Sequence, residues 1–328
     1  MNRLKATAAA LVLAGSAFAA GAAHAETIRL AHHHTVDGSI DRAAHVLAEE
    51  AARLTDGELE IQIFPAAQLG QQQEIYDQVD LGVIDMSMTP SSLIDKKWVA
   101  IRHADLPFLW ESFEHFERAK NGEWGEAMVE GVLGSSNTRI IGLGGFGFRD
   151  MIFRGEPVTD IAGLEGMKMR APESRLWIRM FELLGARPTP VTWGEVYTAM
   201  QTGVAEGLES PAVAALDMKF DEVTESVVLT QHMFGILAIM INENRFQSLK
   251  PEFQEAILAA GKTAADHFDT ETKKQIESAY QEMQEKGMTV AEPANRQEWV
   301  DAMSPLWDES KADHPDVGTL IDLVVSAK

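Results

Sequence analysis

Two arginines near the ends of predicted strands are the residues of this chain best suited to hold a ligand. Arg170 ends a short predicted strand, Met167–Arg170, just before Ala171-Pro172, and Arg149 lies near the end of another. A guanidinium group can hold a planar carboxylate through two parallel hydrogen bonds. A single arginine at such a place is more often a surface ion-pair partner, so the residue alone leaves both interpretations open.

Three consecutive histidines at residues 32–34 could bind a metal ion or form hydrogen bonds with a ligand. Consecutive side chains of a strand point to opposite faces, so at most two of the three could converge on one ion. No second group of ligands has the spacing of a metal site, although His45, His103 and His115 keep the metal hypothesis open. The sequence favours neutral histidines that form hydrogen bonds with ligand or solvent.

Motifs of other functions are absent or lack their structural context. Gly142–Gly147 matches the GxGxxG pattern, but the chain continues FRDMIFRGEP, which favours a strand over the helix that a dinucleotide site needs. We expect these glycines to give backbone freedom at a hinge between domains. GxSxG and HExxH do not occur, so an exported hydrolase with scattered carboxylates is only an alternative.

The charge balance restricts the partners of the protein. The 328 residues include 28 Lys and Arg against 50 Asp and Glu, a formal net charge of −22, and no Cys. This excess of acid argues against nucleic acid and anionic membranes as partners. The absence of Cys excludes disulfides, thiolate nucleophiles and iron–sulfur clusters. A site for an anion must therefore be local, and we expect no cofactor.

The N-terminus predicts a signal peptide at residues 1–25. Arg3 and Lys5 precede an apolar, alanine-rich run at Ala6–Ala20, and Ala23-His24-Ala25 supplies the small residues that a signal peptidase recognises. The run is too short to span a bilayer comfortably, which argues against membrane insertion. We expect cleavage after Ala25 and a periplasmic protein.

Hydrophobic periodicity predicts that two rounds of strand–helix alternation position these residues. The first round has strands at 27–31, 59–63 and 83–88 and helices at 39–54, with Ser39 as N-cap, and 72–81. Such an order predicts a parallel sheet that binds ligands at the carboxyl ends of its strands. Those ends carry the histidine run, the turn at 68–72 and Thr89-Pro90-Ser91.

The second round extends from residue 140 to residue 242. It has strands at 140–143, 148–153, 167–170, 204–208 and 233–242, helices at 174–184 and 193–202, and a turn at 185–190. A long helix from Pro251 to about residue 285 could run alongside both domains. We expect a two-domain α/β protein whose domains exchange strands. Domain I is predicted at 26–147 plus 236–275, and domain II at 148–235 plus 276–328.

The stretch from residue 167 carries a family resemblance. The run KMRAP…LLGARPTPVTWGEVYTAMQTGVAEGLESP resembles the solute-binding proteins of tripartite ATP-independent periplasmic (TRAP) transporters, as do FPAAQLG and LGVIDMSM. The resemblance covers nearly all of the chain after residue 25. It implies two domains that close over a solute like a hinged clamp, without catalysis, and a membrane permease that receives the solute.

The resemblance also implies roles for individual residues. Arg170 matches the arginine that pairs with a solute carboxylate, Arg149 matches a second contact, and Trp193 matches an aromatic residue that lines the cleft. From position alone, Trp193 could stack on a ligand or pack between elements. Two departures from the family pattern, Ser210 after Glu209 and Pro90, concern the part of the site that recognises the rest of the solute.

The predicted solute is a small organic acid. A sugar acid, such as a uronate or aldonate, is slightly favoured over a C4-dicarboxylate or an ectoine-like solute, because a flat indole suits a ring and the histidines are polar. A metal-binding protein and a hydrolase are the alternatives of another class. The candidate ligand-binding residues are Arg170, Arg149, Trp193, His33, Gln72, Ser210, Glu209, His32 and Ser91.

Overall fold

The computed structural model describes residues 25–328, so the predicted signal peptide lies outside the described residues except for Ala25. The first part of the chain comprises β1 (Glu26–Ala31), α1 (Ser39–Leu54), β2 (Leu59–Phe64), α2 (Gln72–Asp80), β3 (Met86–Pro90), 3-10 helices at Ser91–Lys96 and Val99–Asp105, α3 (Phe113–Lys120), α4 (Glu123–Ser135) and β4 (Thr138–Phe153).

The second part begins after β4. It comprises β5 (Lys168–Ala171), α5 (Arg175–Leu183), β6 (Arg187–Pro190), α6 (Val196–Thr202), β7 (Gly207–Pro211), α7 (Ala212–Asp217), β8 (Ser226–Asn242), α8 (Glu243–Ser248), α9 (Pro251–Glu285), β9 (Thr289–Ala291), α10 (Arg296–Met303), α11 (Pro305–Asp313) and α12 (Asp316–Ser326).

Two long antiparallel strands, β4 and β8, connect all other strands into one sheet. The order is β2-β1-β3-β8-β4-β7-β5-β6, and β9 pairs with β8. β3 pairs with the last part of β8, at residues 237–241, whereas β7 pairs with the last part of β4, at residues 149–153. β1 is parallel to β2 and β3, as the alternation predicts, and β5 is parallel to β6 and β7. The α/β fold therefore has two groups of strands that share β4 and β8.

Each group of strands has its own hydrophobic core. One core lies between β1–β3, α1 and α9, and another lies beneath α6 and α7. A third, rich in aromatic residues, includes side chains of α3, α4, α5 and the C-terminal helices. α12 contacts α3, α4 and the 3-10 helix at Val99–Asp105, so the last segment touches elements from the first part of the chain. Among the described residues, no helix is both long and apolar enough to cross a membrane.

Helix α9 is 35 residues long and contacts both groups of elements. It packs on α1 and β4, and also on α7 and β9. Two of its polar side chains bind the long strands directly. Asp269 accepts a hydrogen bond of 2.6 Å from the amide of Gly145, and Tyr280 donates one of 2.5 Å to Asp150.

Several predicted elements differ in extent from the observed ones. Residues 187–190, predicted within a turn, form β6; its prolines are tolerated because β6 is an edge strand that needs few amide donors. β3 begins at Met86 and not at residue 83, and the strands predicted at 140–143 and 148–153 form one strand. The predicted N-cap Ser39 is the first residue of α1, and Gly38 is the N-cap.

The glycines of 142–147 lie inside β4, where helix α9 crosses the sheet. A Cβ atom on Gly142 would lie 2.5 Å from the carbonyl oxygen of Gly261, and one on Gly261 would lie 2.6 Å from that of Ile141. Real Cβ atoms do not approach backbone atoms so closely. These glycines therefore allow the helix and the strand to pack backbone against backbone, a role that the motif alone did not reveal.

We expect Gly261→Ala to lower the free energy of unfolding by about 1–3 kcal/mol, because the added methyl must push α9 away from β4. Gly134→Ala is the matched control, since a Cβ there meets nothing within 4 Å in helix α4. Alanine should stabilise that helix by about 0.5–1 kcal/mol. Urea unfolding followed by circular dichroism measures both. Equal stability of the two variants would contradict the proposed role of the crossing.

Candidate ligand-binding site

A cavity lies where the carboxyl ends of β1, β3, β5 and β7 face one another. Polar residues from the first part of the chain, Arg149 of β4 and Arg170 of β5 line it together with aromatic rings. The lining residues are His33, His34, Gln72, Pro90, Ser92, Leu93, Phe146, Arg149, Arg170, Pro172, Trp177, Trp193, Pro211 and Ala214.

Arg170, at the third position of β5, supplies a buried positive charge to this cavity. Its side chain is only 1% exposed. Nε donates a 2.9 Å hydrogen bond to the carbonyl of Val191, whereas Nη2 is buried and has no hydrogen-bond partner among the described residues. Burial lowers the pKa of Arg170 to about 10, so the guanidinium is still charged at neutral pH. Its Cζ atom lies 5.4 Å from the centre of the Trp193 ring, a cation–π distance.

Arg149 of β4 is held by Glu209 of the neighbouring strand β7. Nε and Nη2 of Arg149 donate to the two carboxylate oxygens of Glu209, the Nη2–Oε1 distance being 2.8 Å. Nη2 also donates to the carbonyl of Glu209 at 3.2 Å. Glu209 is fully buried and does not line the cavity. The carboxylate therefore fixes the orientation of Arg149 and balances its charge.

Aromatic rings stack along one side of the cavity. The ring of His34 lies 6.0 Å from that of Trp193 and 6.2 Å from that of Phe146, nearly parallel to both. Burial lowers the pKa of His34 to about 4 and that of His33 well below its usual value. Both imidazoles are therefore neutral at neutral pH and can accept as well as donate hydrogen bonds.

Two indole groups add hydrogen-bond donors. Nε1 of Trp177 and Nε1 of Trp193 are buried, and neither has a hydrogen-bond partner among residues 25–328. A buried donor without a partner costs roughly 1–3 kcal/mol. Both tryptophans line the cavity, so oxygen atoms of a ligand could satisfy these donors. The two rings also supply flat apolar faces.

Two ionisable groups lie behind the arginines. Asp105 is buried near Arg149, Asp95 and Glu209, and burial raises its pKa to about 8. His232 lies with Nε2 at 3.9 Å from Glu209 and Nδ1 at 2.8 Å from the hydroxyl of Thr230. Burial lowers the pKa of His232 to about 4. At neutral pH both Asp105 and His232 are therefore neutral.

A second space, which we call the outer chamber, adjoins the cavity and shares four of its residues: Gln72, Ser92, Leu93 and Pro172. Its other lining residues are Gln71, Gln73, Glu74, Asp95, Glu173, Ser174 and Thr192. Amides, hydroxyls and carboxylates thus surround it, and none of these lining residues is Lys, Arg or His.

Five of the candidate residues lie together on the cavity: Arg170, Arg149, Trp193, His33 and Gln72. The other four do not line it. His32 forms a 3.0 Å hydrogen bond with Asp41, and Ser210 donates one of 3.0 Å to the carbonyl of Pro211. Ser91 is buried beside the lining residues Pro90 and Ser92, and Glu209 lies behind Arg149. Direct ligand contact by these four remains a prediction.

Sequence reasoning missed several residues of the cavity. Trp177 and Phe146 carried no sequence signal beyond their aromatic character, because the folding of α5 and β4 alone brings them here. His34 belonged to the histidine run, and its position next to Trp193 could not be read from the sequence. Within the described chain, no group of three or more His, Asp and Glu side chains is placed to hold a metal ion.

Comparison with known proteins agrees with this geometry. Residues 30–313 match the family described as DctP, bacterial extracellular solute-binding protein, family 7. A solute-binding protein of Roseobacter denitrificans is 31% identical over 294 residues, which is 89% of each chain. The 2,3-diketo-L-gulonate-binding periplasmic protein of Escherichia coli is 28% identical over 302 residues, which is 92% of each chain.

A solved structure has the same fold. A TRAP periplasmic solute-binding protein of Roseobacter denitrificans with bound β-D-glucuronate superposes with a TM-score of 0.87 at 26% identity, covering 91% of this chain and 99% of its own. The family match spans most of the sequence, and the two-domain α/β architecture agrees with it. The chain therefore belongs to family 7 of the bacterial extracellular solute-binding proteins and is a TRAP solute-binding protein of the DctP type.

Proposed function

We propose that this protein captures a small sugar acid, of the uronate or aldonate type, in the periplasm and delivers it to the membrane permease of a TRAP transporter. The observation that carries this proposal is the buried Nη2 of Arg170, a charged donor with no partner in the described chain at the wall of the cavity. A carboxylate satisfies such a donor better than a neutral oxygen because the hydrogen bond is charge-assisted.

The rest of the cavity supports a hydroxyl-rich ring or chain beyond that carboxylate. Indole donors, neutral imidazoles and the amide of Gln72 can bind hydroxyl groups, and the face of Trp193 can lie against the apolar side of a sugar. Sugar-derived acids are also the ligands named for two relatives, β-D-glucuronate and 2,3-diketo-L-gulonate. A C4-dicarboxylate has no ring that could lie against the aromatic residues of the cavity.

Binding and closure are coupled in this proposal. We assign residues 26–147 plus 236–275 to one lobe and 148–235 plus 276–328 to the other, with β4 and β8 as the hinge. β4 and β8 show register shifts at Gly145/Gly147 and Arg149/Met151, near the change of lobe. A closed cleft removes water from the ion pair between Arg170 and the solute, so the solute favours the closed state.

Export and transfer complete the proposed role. The predicted signal peptide directs the protein to the periplasm, where cleavage after Ala25 releases it, and the permease takes the solute from the closed protein. The protein performs no catalysis in this proposal. A screened sugar acid should therefore be recovered unchanged after incubation, and its turnover would favour the hydrolase alternative.

We expect isothermal titration calorimetry to detect binding of D-glucuronate, D-galacturonate or an aldonate to the mature protein. Arg170→Ala should weaken that binding by about 100-fold or more, since loss of one partner of a buried ion pair costs about 3–5 kcal/mol. Arg187→Ala, which removes an exposed guanidinium of β6, is the control and should leave the affinity unchanged. Unchanged affinity in Arg170→Ala would contradict the assignment, and binding of uncharged sugars alone would contradict the function.

We expect the affinity for a sugar acid to fall by roughly tenfold between about pH 7 and about pH 9, the equivalent of about one pKa unit. The pKa of Asp105 is about 8, so this carboxyl is protonated at the lower pH and charged at the higher one, beside Arg149 and Glu209. An added negative charge there opposes an anionic solute. Asp105→Asn should remove most of the pH dependence, and a wild-type slope in that variant would refute this explanation.

A contact between the proposed lobes should stabilise the closed state. Asp217, at the end of α7, accepts hydrogen bonds from the amide of Ser39 at 2.9 Å and from its hydroxyl at 2.7 Å. The N-cap residue of α1, Gly38, has no side chain that could accept a hydrogen bond. The carboxylate of Asp217 therefore supplies the acceptor that the N-terminus of α1 needs.

We expect Asp217→Asn to weaken solute binding by roughly threefold to tenfold, since each lost hydrogen bond contributes about 0.5–1.5 kcal/mol. Neither Asp217 nor Ser39 lines the cavity, so we attribute the expected effect to closure. The dissociation rate measured by stopped flow should rise accordingly. Asp322→Asn, which changes an exposed acid of α12, is the control. Equal dissociation rates in both variants would argue against a closing contact.

A further inference from the structure

Among the described residues, the cavity contains one arginine, Arg170, that forms no ion pair with an acid. Arg149 and Arg170 are its only Lys or Arg lining residues among residues 25–328. The carboxylate of Glu209 binds Arg149 through both oxygens and balances its charge. Within the described part of the chain, Arg170 bonds only to a backbone carbonyl, and its Nη2 has no partner. The cavity as a whole therefore presents a net charge of one positive unit.

Among the described residues, the histidines near the cavity add no further cation to it. Burial lowers the pKa values of His33, His34 and His232, so these imidazoles are neutral at neutral pH. Asp105, whose pKa burial raises, can only add negative charge when it ionises. The histidines therefore cannot balance a second carboxylate of a solute.

The charges around the outer chamber also disfavour a second carboxylate on the solute. Glu74, Asp95 and Glu173 line it, and none of its lining residues in the described chain carries a positive charge. Arg102 bonds to Asp95 but is itself paired with Asp313 and does not line the chamber. A solute that extends from Arg170 towards this chamber meets carboxylates and amides, which suit hydroxyl donors and repel anions.

We infer that the solute carries a single carboxylate and a neutral, hydroxylated remainder, and that Glu209 excludes diacids by occupying Arg149. This inference rests on the proposed function, since it concerns which sugar acids enter the cavity. A second carboxylate would be buried without a cation, and removing such a charge from water is costly. If Glu209 lost its charge, Arg149 could pair with that second carboxylate.

The experiment compares pairs of solutes that differ only at the far end. D-Gluconate and D-galactonate each carry one carboxylate, whereas D-glucarate and galactarate replace the terminal hydroxymethyl group with a second one. We expect calorimetry to show that the wild-type protein binds the better monoacid at least about tenfold more tightly than the matching diacid. Equal or tighter binding of the diacids by the wild-type protein would overturn the inference.

A variant tests the role assigned to Glu209. In Glu209→Gln the preference for monoacids should fall by about tenfold or reverse. Glu195→Gln is the control, because it removes one negative charge from an exposed site before α6 and should keep the wild-type preference. An unchanged preference in folded Glu209→Gln would overturn the role of Glu209. If circular dichroism shows that this variant does not fold, the wild-type comparison alone decides the single-carboxylate inference.

Failure of the proposed function has a different signature. In that case the wild-type protein binds neither uronates nor aldonates nor the diacids, and the inference is overturned with it. If uronates or aldonates bind and the diacids bind equally well, the proposed function stands and the inference fails.

Discussion

The structure of the site depends on one buried guanidinium group. Arg170 is 1% exposed, one of its donors has no partner among the described residues, and its pKa remains far above neutral. Burial of such a charge is expensive unless an anion accompanies it. In the proposed function, a carboxylate of the solute accepts the hydrogen bond of this unpaired donor. Affinity and closure can then both derive from one ion pair.

The long strands β4 and β8 make this arrangement possible. They pair along most of their length and receive β3 on one side and β7 on the other, so both groups of elements are parts of one sheet. Arg149 lies on β4 where β7 pairs with it. Trp177 lies on α5, and Trp193 lies just before α6. Helix α9 packs against β4 through glycines at 142 and 261, which keeps its axis close to the sheet. The two arginines of the cavity therefore both lie on strands of this one sheet.

The balance of charges among the buried groups of the cavity bears on which solute binds as well as on how it binds. Glu209 orients Arg149 and cancels its charge, whereas Arg170 has no such partner. Asp105 and the histidines are neutral at neutral pH because they are buried. An exterior with a large excess of acid can thus contain a small cationic site, because the local balance of buried groups and not the net charge decides what binds.

The sequence by itself determined the fold class and the family, while tertiary structure decided which residues lie together at the candidate site. Period-two and helical patterns are local, so they predicted most strands, the helices α1, α2, α5 and α6, and the full length of α9. The motif around Arg170 predicted a carboxylate-binding residue, and the structure places this arginine on the cavity. Pattern could not show that β6 tolerates prolines as an edge strand, or that Asp217 caps α1 from 178 residues away. Nor could it show that Glu209 pairs with Arg149 or that Trp177 reaches the cavity. These facts depend on contacts between residues far apart in the chain, and only the packing of the folded sheet and helices brings them within hydrogen-bond distance.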